Sequence, residues 1–205
     1  MTIAPSTQSQ HSAPFESLEA YLAADPANLP EGRYEYWDGA LVEIMPESLF
    51  HDGLANYLLI LLVQAGIPLD LIRPHSCEVV VSGRPRTRLP DLTILEEVHL
   101  TLTAKRLTIT EEMPPPRLVV EIVSPGKEGS ANYKRDYQTK PQQYAQRGIP
   151  EMWQIDPDRA WVRVGQLVDG NYQFVIFQGQ ETIASPNFPG LTLTAAQVLR
   201  QEMDT

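Results

Sequence analysis

The stretch LVVEIVSPG, residues 118–126, decides the fold, because it has the composition of a buried strand that ends at a turn. Its first six residues are apolar except for Glu121, and Ser-Pro-Gly follows at once. Removing a carboxylate from water is costly unless a partner compensates its charge. A glutamate at this place therefore needs a partner, and a metal ion is one candidate.

A second strand-like stretch, RLPDLTIL, carries one acidic residue in the same way. Its Asp91 precedes Glu121 by 30 residues (121 − 91 = 30). Two adjacent strands that each contribute an acid can share the cost of desolvation by holding a divalent cation, and Mg²⁺ or Mn²⁺ prefers such oxygen ligands. The pattern predicts Asp91 and Glu121 as metal ligands. The alternative for Asp91 is a strand-end residue satisfied by backbone donors or an arginine.

The segment NYKRDYQTKPQQYAQRG predicts a helix that brings a lysine to these acids. Asp136, Lys140 and Tyr144 are four residues apart, so they share one helix face if the helix continues past Pro141, where a kink or a break is expected. A lysine on that face can position water or stabilise charge on a scissile phosphate. The alternative for Lys140 is an ordinary solvated lysine.

The other segments predict one α/β domain over residues 15–205, with a mixed sheet and helices against it. Residues 15–24 suit a helix with Ser17 as its N-cap. Asp38-Gly39 predicts a hairpin between Tyr34–Trp37 and residues 41–45. The polar segment 96–116 is expected to lie outside the core, and residues 1–14 to form a disordered leader.

Composition predicts a soluble, cytosolic protein. The chain has 205 residues, 23.0 kDa and one cysteine, Cys77, so it has no internal disulfide framework. Its start lacks the pattern of a secretory signal. The most apolar stretch, residues 57–63, is far shorter than the roughly 20 residues that cross a bilayer.

The net charge of −10 alone disfavours nucleic acid as a partner, but its distribution differs along the chain. Residues 84–147 hold 11 Lys and Arg against 8 Asp and Glu, whereas the remainder holds 5 against 18. Arg84, Arg86 and Arg88 alternate, which sends all three to one side of an extended segment, where they can contact phosphates. The alternative is a strand face paired with nearby acids.

Several of these motifs, taken in order, resemble the Uma-two family of endonucleases, a branch of the PD-(D/E)XK restriction-endonuclease-like superfamily. The resemblance covers residues 34–193 and rests on YEYWDGALVEIMP, His51, Pro90-Asp91, Glu121-Ile-Val-Ser-Pro, the series Asp136, Lys140, Tyr144 and Gly148, GIPEMWQIDP, and FPGLTL.

The resemblance implies a central mixed sheet flanked by helices, Asp91 and Glu121 as Mg²⁺ ligands, and a catalytic lysine. The superfamily's E-x-K signature would place that lysine at Val123, so the role passes to Lys140. Glu43 is a candidate further ligand, because related nucleases recruit an acid from their N-terminal elements. A structural or partly exposed position is expected for His51.

The leading hypothesis is a metal-dependent endonuclease that acts on duplex DNA, as a homodimer by analogy with the superfamily. A catalytically inactive binding or regulatory module on the same fold is the main alternative. Hydrolysis of another phosphodiester, in RNA or a nucleotide, is a third.

Overall fold

The computed structural model describes residues 10–11, 15–46 and 48–200. Its strands are β1 (Gln10–His11), β2 (Tyr34–Trp37), β3 (Ala40–Glu43), β4 (Ile72–Pro74), β5 (Glu78–Val80), β6 (Thr87–Arg88), β7 (Leu92–Ile94), β8 (Thr108–Ile109), β9 (Leu118–Ile122), β10 (Glu151–Asp156), β11 (Trp161–Val168) and β12 (Asn171–Gln178). Its helices are α1 (Leu18–Ala23), α2 (Leu49–Gln64), α3 (His99–Leu102), α4 (Ala131–Lys134), α5 (Lys140–Gln146) and α6 (Ala195–Val198), and a π-helical turn, Arg135–Thr139, joins α4 to α5. The predicted leader, residues 1–14, lies outside the described residues apart from β1.

A six-stranded mixed sheet with the order β12-β11-β10-β9-β7-β4 forms the centre of the fold. Strands β9 and β10 are parallel, and every other pair in this sheet is antiparallel. Segment α4 to α5 connects β9 to β10, as a parallel pair requires. The predicted α/β fold with a mixed sheet and helices against it is confirmed.

Two small sheets accompany the central one, with the orders β1-β3-β2 and β6-β5-β8. The β2–β3 hairpin turns at Asp38 and Gly39, both with positive φ, as the primed hairpin turns require. This hairpin and the N-cap of α1 by Ser17 are as the sequence predicted.

The prediction for residues 96–116 was wrong in part, because some of this segment belongs to the core. Ile109 and His99 are fully buried. Strand β8 pairs in parallel with β5, with Ile109 opposite Val79. The His99 ring also accepts the Glu96 N–H at 3.0 Å, which satisfies a polar group inside this segment. Polar composition concealed a short strand that only its tertiary partner stabilises.

No helix in the described part of the chain is long and apolar enough to cross a membrane.

Candidate active site

Glu121 lies at the carboxyl end of β9, with only 1% of its surface exposed. The Lys140 ammonium donates to its Oε2 at 2.5 Å. The Tyr144 hydroxyl donates to its Oε1, also at 2.5 Å. Both donors come from the segment that follows β9. The strand thus supplies the carboxylate, and the segment after it supplies the groups that compensate its charge.

Asp91 lies opposite Glu121 across the β7–β9 pair. Leu92 is opposite Val120, and one further step along this antiparallel register places Asp91 opposite Glu121. Directly opposite residues point to the same face of a sheet, so the two acids share a face. The Ile122 N–H also donates to Asp91 Oδ2 at 2.6 Å, so Asp91 has the backbone donor of the alternative interpretation.

His75 is a neighbour of Asp91 that the sequence analysis missed. It has a left-handed backbone, with φ 52°, and it separates β4 from β5. Its Nδ1 lies 3.8 Å from Asp91 Oδ1, and its Nε2 lies 3.6 Å from Asp52 Oδ1. No local pattern in the sequence predicts this placement, because it depends on how separate strands meet.

Asp136 forms an ion pair with Lys140 from the helix side, and Arg135 in turn pairs with Asp136. The Lys140 ammonium lies 3.5 Å from Asp136 Oδ1. Arg135 Nε donates to Asp136 Oδ1 at 2.8 Å, and the Ser124 N–H donates to Oδ2 at 3.1 Å. Asp136 is therefore a buried carboxylate with several donors, which ties the helix to the turn after β9.

Pro141 does not end the helix, because the π-helical turn accommodates it. The Lys140 N–H reaches back to the Arg135 carbonyl, five residues earlier. Continuing that pattern, the Asp136 carbonyl would need the N–H of residue 141, which proline lacks. Gln154 Nε2 donates to that carbonyl instead, at 2.5 Å. Asp136 and Lys140 thus stay together on the side that faces the sheet.

The charges around Glu121 shift the pKa values of its neighbours. Burial alone would lower the pKa of Lys140, but Glu121, Asp136 and Asp91 outweigh burial and raise it to about 12. Burial likewise opposes ionisation of Asp136, yet Lys140 and Arg135 bring the net pKa below its ordinary value. Burial and the Glu121 charge raise the pKa of Tyr144 well above its ordinary value. At neutral pH Lys140 and Asp136 are therefore charged, and Tyr144 is a neutral donor.

Two further predicted residues, Glu43 and His51, come from β3 and α2. Glu43 is half-buried in β3, and His51 lies in the first turn of α2, where its N–H is capped by Ser48. Within the described residues, neither side chain makes a hydrogen bond or an ion pair with Glu121. An acid of the N-terminal hairpin does come close, but it is Glu35.

Glu35 reaches the site through Arg88. Arg88 is buried, and it donates to Glu35 Oε1 at 2.9 Å and to Gln143 Oε1 at 2.8 Å. The charge of Glu35 also contributes to the raised pKa of Tyr144. The hairpin pattern identified both of its strands, but it could not show that Glu35 on β2 pairs with Arg88.

The other two arginines of the alternating row also pair with acids. Arg84 Nε contacts Asp38 at 2.6 Å, and Arg86 contacts Glu111 at 3.2 Å. The alternative interpretation, a strand paired with nearby acids, therefore describes the contacts of all three. Their contact with phosphate stays a prediction.

The donor set can accept a hard cation through two carboxylates. No group of three or more His, Cys, Asp or Glu side chains in the described ranges is arranged to hold a metal ion. Mg²⁺ is commonly bound by one or two carboxylates, with water and substrate phosphate as its other ligands. Each oxygen of a carboxylate has two lone pairs, so one hydrogen bond per oxygen leaves Glu121 able to bind further. Asp91 and Glu121 thus fit such an ion.

This sheet, with acids on two adjacent strands and helices against it, defines a restriction-endonuclease-like nuclease fold. A crystal structure described as "a putative nuclease belonging to DUF820", from Anabaena variabilis, matches with a TM-score of 0.59 and 17% identity. The match covers 90% of this chain and 97% of that one, and at this identity it establishes the fold alone. The family model Uma2, described as "Putative restriction endonuclease", matches residues 18–196, and the chain belongs to that family. None of the curated proteins matches.

Proposed function

We propose that this protein is a metal-dependent endonuclease that hydrolyses phosphodiester bonds of DNA. The observation that carries the proposal is the buried Glu121–Lys140 pair at the end of β9, with Asp91 on the neighbouring strand. Membership of the Uma2 family and the nuclease fold support a nuclease. The lysine that the superfamily signature puts on the strand comes here from α5, and its ammonium still contacts the glutamate.

Asp91 and Glu121 would hold a Mg²⁺ or Mn²⁺ ion. Such an ion supplies a water that ionises near neutral pH and neutralises charge on the phosphate oxygens. Both carboxylates point to one face of the sheet, so an ion held between them would be on that face, where the Lys140 ammonium contacts Glu121.

Lys140 acts as a cation and not as a base. With a pKa of about 12 its ammonium keeps its proton at neutral pH. Glu121 accepts one of its three N–H donors, and Asp136 lies 3.5 Å away as an ion-pair partner, so a donor remains for a phosphate oxygen. A fixed donor of this kind stabilises the negative charge that develops during phosphoryl transfer. Tyr144 holds the other oxygen of Glu121, and Asp136 positions the lysine.

A second candidate function is a catalytically inactive binding module. It is favoured by the engagement of both Glu121 oxygens with donors and by the net charge of −10. A module of this kind would bind a partner without cleaving DNA and would not need a divalent ion.

Cleavage of supercoiled plasmid with Mg²⁺ or Mn²⁺ tests the nuclease directly, with wild type compared with Asp91→Asn and Glu121→Gln. Calorimetric titration of the same metals into the same proteins reports binding separately. We expect wild type to bind metal and cleave, both variants to lose both, and Glu97→Gln, at an exposed site, to behave as wild type. Cleavage retained in both site variants would refute the proposed centre. Metal-independent binding without cleavage would favour the module.

We also expect a homodimer, because two sites can then reach both strands of a duplex. Sedimentation velocity of the full chain distinguishes a 23.0 kDa monomer from twice that mass.

A further inference from the structure

A row of polar side chains crosses the central sheet from the candidate active site. Glu121 on β9 lies opposite Gln154 on β10, and Gln154 lies opposite Arg163 on β11. Residues paired in this way point to the same face. Arg163 is therefore two strands, or about 10 Å, from Glu121 at the same level of the sheet.

Among the described residues, the contacts of the Arg163 guanidinium are with aromatic rings and not with acids. Its guanidinium carbon lies 4.0 Å from the centre of the Phe174 ring and 5.2 Å from that of Tyr137. The Phe174 ring itself covers Gly165, where an added Cβ would lie 2.6 Å from it, so its position is fixed by close packing.

Arg163 has no hydrogen bond and no ion pair within the described ranges of the chain, although a guanidinium has five N–H donors. Burial lowers its pKa, and the neighbouring groups that oppose this effect are the tyrosines Tyr137 and Tyr133, not carboxylates. By contrast, Arg159 nearby donates to Asp156 Oδ2 at 2.7 Å. Arg163 is only partly buried, so its N–H donors are available to an anion.

The rings beside Arg163 form one half-buried cluster between the helix and the β10–β11 hairpin. The Tyr133 and Tyr137 ring centres are 4.6 Å apart, and Trp161 Nε1 donates to the Tyr137 hydroxyl at 3.1 Å. The Arg159 guanidinium carbon lies between 5.5 and 5.9 Å from the Tyr133, Tyr137 and Trp161 rings. Arg159 also donates to the Gly126 carbonyl, in the turn after β9, which joins the cluster to the candidate active site.

We propose that Arg163 and this ring cluster bind an unpaired nucleotide of a nucleic acid strand next to the candidate active site. Arg163 binds its phosphate, and the half-exposed rings of Trp161 and Tyr133 stack on its base. Bases in a duplex already stack on each other, so a side-chain platform favours single strands, overhangs or flaps. The proposal rests on the proposed function for the reaction at Glu121, but the binding itself needs no cleavage.

Fluorescence anisotropy with a labelled single-stranded oligonucleotide and the matching duplex tests this in EDTA, where divalent ions are removed. We expect wild type to bind the single strand more tightly than the duplex. Arg163→Gln should weaken single-strand binding by about threefold to tenfold and reduce the slope of log K against log salt by about 0.7, the share of one phosphate contact. Arg163→Lys keeps the charge and should keep the slope.

Arg73→Gln is the matched control, because Arg73 is a half-buried arginine on β4, at the opposite edge of the same sheet. Its affinity and slope should equal those of wild type. An Arg163→Gln protein with the affinity and slope of wild type would overturn the proposal. So would an equal loss in Arg73→Gln or a preference for duplex.

A second measurement uses Trp161 itself, in case Arg163→Gln fails to fold. In a Trp37→Phe background the remaining tryptophans are Trp161, half-buried, and Trp153, buried. Single-stranded oligonucleotide should quench their fluorescence, and Trp161→Phe should remove the quenching. Binding without any quenching contradicts stacking on Trp161.

Hydrolysis of bis(p-nitrophenyl) phosphate by wild type separates failure of this inference from failure of the proposed function. That small phosphodiester reports the chemistry at Glu121 without a neighbouring nucleotide. If it is hydrolysed but no oligonucleotide binds, the inference is wrong and the reaction stands. If oligonucleotide binding depends on Arg163 but no phosphodiester is cleaved, the proposed binding surface is supported and the proposed reaction is wrong.

Discussion

Glu121 is a buried acid whose charge is compensated by protein donors, so its neighbours matter for stability as well as for the proposed chemistry. The Lys140 ammonium touches Glu121 and Asp136, two side chains that are each 1% exposed. Removing one partner of a buried ion pair leaves the other charge uncompensated and typically costs about 3–5 kcal/mol.

Lys140→Met should therefore affect two measurements. Loss of the fixed cation should lower plasmid cleavage by roughly 10²–10³-fold, as loss of one transition-state donor does. The free energy of unfolding in urea should fall by about 3 kcal/mol. Lys105→Met, at an exposed lysine in the loop after α3, should change neither. Full cleavage by Lys140→Met would remove the lysine from the mechanism.

Asp136 should give the protein an acid-sensitive contribution to stability. Its pKa is below the ordinary 3.8, because Lys140 and Arg135 outweigh its burial. A carboxyl with a depressed pKa stabilises the fold above its ordinary pKa, and this contribution is lost as pH falls through the folded value. The difference in unfolding free energy between wild type and Asp136→Asn should be about 2 kcal/mol at neutral pH.

That difference should shrink as pH falls below about 4, and it is measured by urea unfolding at several pH values. Asp158→Asn, at an exposed acid in the β10–β11 turn, is the control and should follow wild type throughout. A difference that does not change with pH would show that the charge of Asp136 contributes nothing.

At the scale of single residues, the sequence predicted those site residues that follow a helical spacing or whose burial carries a large energetic cost. Glu121 was found because a buried charge needs a partner, and Asp136, Lys140 and Tyr144 because they are four residues apart. Glu35 and His75 were missed because their placement depends on how separate strands meet. No local pattern contains that information.

The π-helical turn is the element that holds Asp136 and Lys140 against the sheet. The sequence predicted a kink or a break at Pro141, whereas the chain widens by one residue before the proline and continues as α5. The cost is an Asp136 carbonyl without a backbone donor, and a side chain of β10 provides the donor. Local sequence showed the missing N–H but not Gln154, which is 13 residues from Pro141 (154 − 141 = 13).

Gln154→Leu should destabilise the protein by about 1–3 kcal/mol, because the buried Asp136 carbonyl loses its donor. In a Pro141→Ala background the restored N–H can supply that carbonyl, so the same change should cost less. A double-mutant cycle in urea measures the difference, and we expect coupling of about 1 kcal/mol. Strictly additive effects would mean that Gln154 and Pro141 do not serve the same carbonyl.

Across the whole molecule, two apolar clusters are joined by buried polar contacts. The large cluster surrounds the central sheet, and a small one of Tyr21, Tyr36 and Leu41 lies between α1 and the β2–β3 hairpin. Glu78 on β5 links them, because its carboxylate accepts hydrogen bonds from the Tyr21 hydroxyl at 2.7 Å and from Arg106 at 3.1 Å. The sequence predicted one domain, but not that a buried acid would connect its parts.

Glu78→Ala should lower the local stability of the β2–β3 hairpin and leave the central sheet unchanged. The small cluster buries few side chains, and the change also leaves Arg106 without its carboxylate, so the hairpin should open without global unfolding. Hydrogen–deuterium exchange should rise by at least about tenfold in Tyr34–Trp37, corresponding to about 1.4 kcal/mol of local stability, and stay at the wild-type rate in Leu118–Ile122.

Glu151→Ala provides the reciprocal control for that experiment. Glu151 is also fully buried, but it accepts hydrogen bonds from Ser185 at 2.6 Å and from the Asn187 N–H at 2.8 Å, so it anchors the segment before α6. Its loss should raise exchange around residues 185–188 and leave the hairpin unchanged. If either variant instead raises exchange equally in both places, the two clusters unfold as one unit and the buried acids do not define separable parts. Selective release would mean that the hairpin carrying Glu35 can move relative to Glu121 while the central sheet stays folded.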